Sequence, residues 1–160
     1  MGARLAPGSH SREYSVFPMN RQVSHPNGGN TVNLDKLIFV FGSNLAGKHG
    51  AGAAKFAAKH KGAIYGQGEG LQWRSYALPT KDWHIKTLPL DQVETHVKHF
   101  INCARTNPHL EFQVTRVGCG LAGFKDEQIA PFFINAPDNC WFDEAWKLWL
   151  GENRKYWGHQ

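Results

Sequence analysis

The 160-residue chain is 41% hydrophobic and 12% aromatic, enough for one domain with a real core and too short for two of ordinary size. No apolar run approaches the ~20 residues of a membrane helix, so a membrane-spanning role is excluded from expectation. Eighteen Lys+Arg against 13 Asp+Glu give a formal net charge of +5, and the cations are scattered rather than clustered; that balance serves solubility or a small anionic ligand better than dedicated nucleic-acid binding.

Residues 1–33 mix Pro, Ser, Asn and Gly around Pro26-Asn27-Gly28-Gly29-Asn30, which predicts a loosely ordered segment ahead of a domain spanning 34–150. The apolar run Leu37-Ile38-Phe39-Val40-Phe41 predicts a strand covered on both faces. It leads into a glycine-rich turn, Gly42-Ser43-Asn44-Leu45-Ala46-Gly47-Lys48-His49-Gly50-Ala51-Gly52, and then into an alanine-rich helix over 51–60. A second glycine-rich stretch, Tyr65-Gly66-Gln67-Gly68-Glu69-Gly70, precedes a short strand, Ser75-Tyr76-Ala77-Leu78, that is expected to stop at Pro79.

Apolar residues at Leu90, Val93, Val97, Phe100, Ile101 and Ala104 predict a helix over 91–106. Asp91 and Glu94 stand where a capping box would start it, and Asn107-Pro108 would stop it. Residues 112–117 read as a strand running into another glycine turn, Gly118-Cys119-Gly120-Leu121-Ala122-Gly123-Phe124. Asp126 is placed to cap a short helix, residues 139–142 to form a last strand, and residues 151–160 to trail behind as a tail. Trp141, Trp146, Trp149 and Trp157 are expected to cover the sheet edge.

Strands that alternate with helices predict an α/β fold with a mixed or parallel sheet between helical layers, and ligands in such sheets sit beyond the carboxyl ends of the strands. Both glycine turns fall there. A turn that opens a helix offers unpaired amides and a partial positive charge, which suits phosphate. Two such turns predict a ligand with two phosphates, or one phosphate group gripped from both sides.

Cys103, Cys119 and Cys140 lack CxxC spacing, and the nine histidines lack HxH or HExxH spacing. No disulfide framework, metal site or cofactor is therefore expected, and the cysteine usage fits a reducing, cytoplasmic setting. Cys119 has the position of a nucleophile at a helix start but reads better as a small packed residue.

The order of strand, Asn44, glycine turn and alanine-rich helix resembles the macro domain, an ADP-ribose-binding α/β/α fold. Gly50-Ala51-Gly52, Thr80-Lys81 and Gly118-Cys119-Gly120-Leu121 are most similar to its terminal ADP-ribose protein glycohydrolase branch, and the likeness spans residues 36–142 in order. The resemblance implies a three-layer α/β/α sandwich with a mixed central sheet. It also implies ADP-ribose or an ADP-ribosylated protein as partner. Asn44 would then bond the distal ribose or help close the first loop, with Gly42 and Ser43 beside it as further ligand-binding residues, and Gly50, Ala51 and Gly52 would offer amides to the diphosphate. The run Gly118, Cys119, Gly120, Leu121, Ala122, Gly123 would wrap the phosphates from the other side, Phe124 would pack on a sugar or ring, and Asp35 would meet the adenine. For catalysis the branch places an aspartate where this chain has Ala122, paired with a helix lysine. Lys55 or Lys59, Lys81 with Asp82, and Asp126 are the substitutes in reach of a hydrolase reading. Binding is thus the first expectation, hydrolysis of an ADP-ribosyl ester the second, and a basic nucleic-acid module the third.

Overall fold

The apolar run at residues 37–41 lies at the centre of a six-stranded sheet in the computed structural model, which describes residues 22–24 and 31–160. Two short strands, β1 (Gln22–Ser24) and β2 (Thr31–Asn33), pair antiparallel ahead of it. The main sheet comprises β3 (Ile38–Asn44), β4 (Gly70–Gln72), β5 (Ser75–Lys81), β6 (Phe112–Val114), β7 (Cys140–Asp143) and β8 (Lys155–Gly158). Its order is β4-β5-β3-β6-β7-β8, with every neighbouring pair parallel except the antiparallel β4 and β5. The helices are α1 (Gly52–His60), α2 (Leu90–Thr106), α3 (Asp126–Ile129) and α4 (Lys147–Leu150).

Successive strand residues face opposite ways, and β3 uses that alternation to feed two cores. Phe39 and Phe41 pack with Ala77 of β5 against Ala54 and Ala57 of α1. Those small residues let the helix lie close to the sheet. Ile38 and Val40 point into the larger core with Val93, Val97, Phe100, Ile101 and Ala104, the dry face of α2, together with Ile129 of α3 and Leu150 of α4. Helices therefore cover both faces of a mixed sheet, the α/β sandwich expected from the sequence.

Four local expectations need correction. Strand β5 runs through Pro79 to Lys81; Pro79 lies beyond the end of β4 and next to the register shift at Ser43/Asn44, where a missing donor is tolerated. Helix α2 starts one residue early, at Leu90, with Pro89 at the N-cap position, so the Asp91 capping box does not form. Asp126 is the first residue of α3 rather than its cap. Residues 151–160 are no tail: Tyr156 and Trp157 alternate between the two faces, and β8 completes the sheet beside β7. The expected loose segment 1–33 lies mostly outside the described residues, and its two described pieces are β1 and β2.

The four tryptophans expected at the sheet edge pack against the cores instead. Trp146 is fully buried in the larger core, where Trp149 packs partly buried against it. Trp141 and Trp157 join Leu34 and Leu37 on the opposite face.

Candidate functional site

Chain connections leave β3 and β6, adjacent parallel strands, toward opposite faces: β3 runs to α1 on one, β6 to α3 on the other. Such a divergence opens a crevice at the carboxyl ends of the two strands. A cleft of about 740 Å³ lies there, and both glycine turns line it. From the first turn come Gly42, Ser43, Asn44, Gly50, Ala51 and Gly52; from the second come Gly118, Cys119, Gly120, Leu121 and Ala122. The turns nearly touch. A Cβ on Gly52 would stand 3.6 Å from Leu121 Cδ1, and one on Gly42 would stand 3.4 Å from the Gly118 amide nitrogen.

Asn44 builds the first turn. Its side-chain amide donates to the Lys48 carbonyl at 2.9 Å, and its Oδ1 accepts from the Lys48 N–H at 2.9 Å. Both ends of the side chain close the loop. The 65–70 segment buttresses this turn from behind: Gly66 N–H donates to the Gly47 carbonyl and Ser43 Oγ donates to the Gly68 carbonyl. Gly47, at φ +71°, has no room for a side chain, since a Cβ would lie 2.5 Å from Gln67 N.

Helix α1 begins its hydrogen-bond ladder at Lys55 N–H to Ala51 O, so the amides of Gly50, Ala51, Gly52, Ala53 and Ala54 have no protein acceptor among the described residues. In the second turn Cys119, Gly123 and Phe124 donate to Arg116, Gly120 and Gly118, which folds the loop tightly. The amides of Gly120, Leu121 and Ala122 remain without an acceptor among the described residues. Thr87 Oγ1 donates to the Ala122 carbonyl at 2.8 Å and ties this loop to the segment after β5.

Lys48, Lys81 and Arg116 line the cleft, and no carboxylate side chain among the described residues does. Arg116 is neutralised in part by a two-pronged pair with Asp126, Nε to Oδ1 at 2.8 Å and Nη2 to Oδ2 at 2.6 Å. Trp146 Nε1 also donates to Asp126 Oδ1 at 2.7 Å. Arg116 and then the indole hold the Asp126 carboxyl below its ordinary range, and Asp126 in turn pushes the guanidinium up. Burial, then the nearby Asp126 charge, pushes the Cys119 thiol up to about 12, so it stays protonated at neutral pH and is a poor nucleophile.

Several predicted site residues are elsewhere. Asp35 sits before β3, at the end of the sheet away from the cleft, where it pairs with Lys61 at 3.8 Å and its carbonyl accepts from Arg74. Gly123 and Phe124 shape the second loop from behind, with the Phe124 ring 3.4 Å from where a Gly118 Cβ would be. Lys55 is exposed on α1 outside the cleft, and Asp126 is held by Arg116 behind it. Of the proposed catalytic set only Lys81 lines the cleft, so Lys55, Lys81 and Asp126 do not converge. Asp82 organises the loop after β5, accepting from the N–H groups of His84 and Lys86. His49 is buried edge-on against Phe41, its Nε2 3.0 Å from the Ile64 carbonyl. Glu69 turns to α2 and contacts His96 and His99.

Sequence reading missed the cleft's walls. Thr80, Thr115 and Arg116 line it from strand ends, Phe56, Tyr65 and Ile85 supply exposed apolar surface, and Gln160 reaches its rim. Phe56 was the one with a signal, four residues after Gly52 on the helix that opens at the turn. Gln160 arrives because Asp143, on β7, accepts from its N–H and contacts His159.

No protein-family model matches the chain, and no curated protein or solved structure does so significantly. No helix among the described residues is long and apolar enough to cross a membrane.

Proposed function

We propose that this cleft binds ADP-ribose or a related nucleoside diphosphate, free or attached to protein. The observation that supports the reading most is the meeting of two glycine turns, each with amides unpaired among the described residues, in one crevice that no carboxylate side chain of the described residues lines. Amides at a helix start contribute on the order of 0.3–2 kcal/mol to a bound anion. Micromolar affinity corresponds to about 8 kcal/mol, so phosphate contacts alone fall short. The remainder falls to the apolar wall of Phe56, Tyr65 and Ile85, which suits a base or a ribose face, since burying one such side chain contributes about 1.5–3 kcal/mol.

Binding is favoured over hydrolysis. An ester hydrolase of the expected kind needs a carboxylate partner for its lysine, and Ala122 stands where the resemblance places one. Lys48 and Lys81 serve as counter-charges to the diphosphate rather than as proton carriers.

Calorimetric titration with ADP-ribose tests this, with binding expected in the micromolar range. Absence of heat at about millimolar ligand would refute it. Release of ADP-ribose from a modified carboxylate would favour hydrolysis instead. Capture of short RNA that weakens steeply with salt and resists ADP-ribose would favour the nucleic-acid reading.

A further inference from the structure

Away from the cleft, three metal-ligating side chains converge from two separate parts of the chain. His96 and His99 lie three residues apart on α2, which puts both rings on one side of the helix. Glu69 comes from the loop before β4. Its Oε2 is 2.7 Å from His96 Nδ1 and 2.9 Å from His99 Nδ1. The two rings stand nearly perpendicular, at 87°, with centroids 5.5 Å apart, and the ligand atoms of all three residues lie within 4.8 Å of one another. The site is half-buried: the side chains of His96, Glu69 and His99 are 15%, 30% and 55% exposed. An ion could therefore enter without unfolding anything.

We propose that Glu69, His96 and His99 form a site for a divalent late first-row metal, with Zn²⁺ the best fit. Two imidazole nitrogens and one carboxylate oxygen are a borderline-soft donor set that suits Zn²⁺ and disfavours Ca²⁺ and Mg²⁺, which prefer all-oxygen shells. Tetrahedral donors about 2.0–2.2 Å from zinc stand roughly 3.3 Å from one another. The present contacts are hydrogen-bond distances, so the carboxylate needs to withdraw by about 0.5 Å as the ion takes the place of the hydrogen on each Nδ1, each neutral ring then carrying its proton on Nε2. Three protein ligands leave a position for water. The proposal departs from the expectation of no metal site, which rested on spacing along single segments; the third ligand comes from 27 residues upstream of His96.

Such an ion would clasp the 65–70 segment to α2. That segment supports the first glycine turn through Gly66 and Gly68, so the ion would stiffen the back wall of the cleft while standing outside it. The site is independent of whatever ligand the cleft takes.

The test is titration of chelator-treated protein with Zn²⁺ by calorimetry, and with Co²⁺ by visible absorption. One equivalent should bind to the wild type, with Co²⁺ giving the intense bands of a four-coordinate site. Loss of an outer partner of a metal ligand already costs 10–100-fold, so H99A and E69Q should each weaken Zn²⁺ binding by about 100-fold or more. His99 is exposed enough that H99A should fold, and its circular dichroism and Tm without metal report whether it does. Absence of a stoichiometric site, or an affinity unchanged in both variants, would overturn the proposal.

Discussion

Asn44 holds the first turn with two hydrogen bonds to the backbone of one residue, Lys48, in a buried position. Truncation to Ala would leave a donor and an acceptor unpaired near the cleft, and the Asn44→Ala variant should lose about 1–3 kcal/mol in urea unfolding. A change within about 0.5 kcal/mol would mean the turn holds itself. Asp126 gives a second test. Its folded-state carboxyl is held low by Arg116, so its stabilising effect is present above the unfolded value near pH 4 and fades as pH falls through the folded one. After allowance for solvent screening, Asp126→Asn should cost about 1–2 kcal/mol near neutral pH. That gap from wild type should narrow as pH falls below the ordinary aspartate value near 4, and a gap that stays constant as pH falls would contradict the assignment. Loop closure was one of the two roles that the resemblance implied for Asn44, and its two bonds to Lys48 agree with it. The partner of Asp126 was not. Arg116 and Trp146 lie 10 and 20 residues away, and only the folded chain brings them together.

Under the proposed reading, the start of helix α1 supplies the preference for an anion. Substituting Gly52 with Glu, the obvious way to block the phosphate seat, would force a side chain onto φ +56° and confound binding with strain. Ala53 is the cleaner position, exposed in the first turn of α1 and lining the cleft. A carboxylate there favours the helix by about 0.3–1 kcal/mol, yet it opposes a bound anion. Ala53→Glu should keep or raise the Tm while weakening ADP-ribose binding by about tenfold or more, by calorimetry. Undiminished binding would show that the anion sits elsewhere. The periodicity of α2 and the apolar run of β3 were readable because their residues make the core directly. Strand β8 was hidden because its four residues gain their meaning only from β7 alongside.

At the scale of the molecule, the divergence of α1 and α3 from neighbouring parallel strands places two distant glycine turns in one crevice. That convergence followed from the alternation of strands and helices. The walls did not, since Tyr65 and Ile85 reach the cleft from two loops and Gln160 from the segment after β8, along paths that no local pattern specifies. The most direct test is amide chemical-shift mapping during an ADP-ribose titration. The account predicts that the N–H signals of Gly50 to Ala53 and of Gly120 to Ala122 move together along one binding curve. If only one turn responds, or neither does at about millimolar ligand, the two turns do not share a diphosphate.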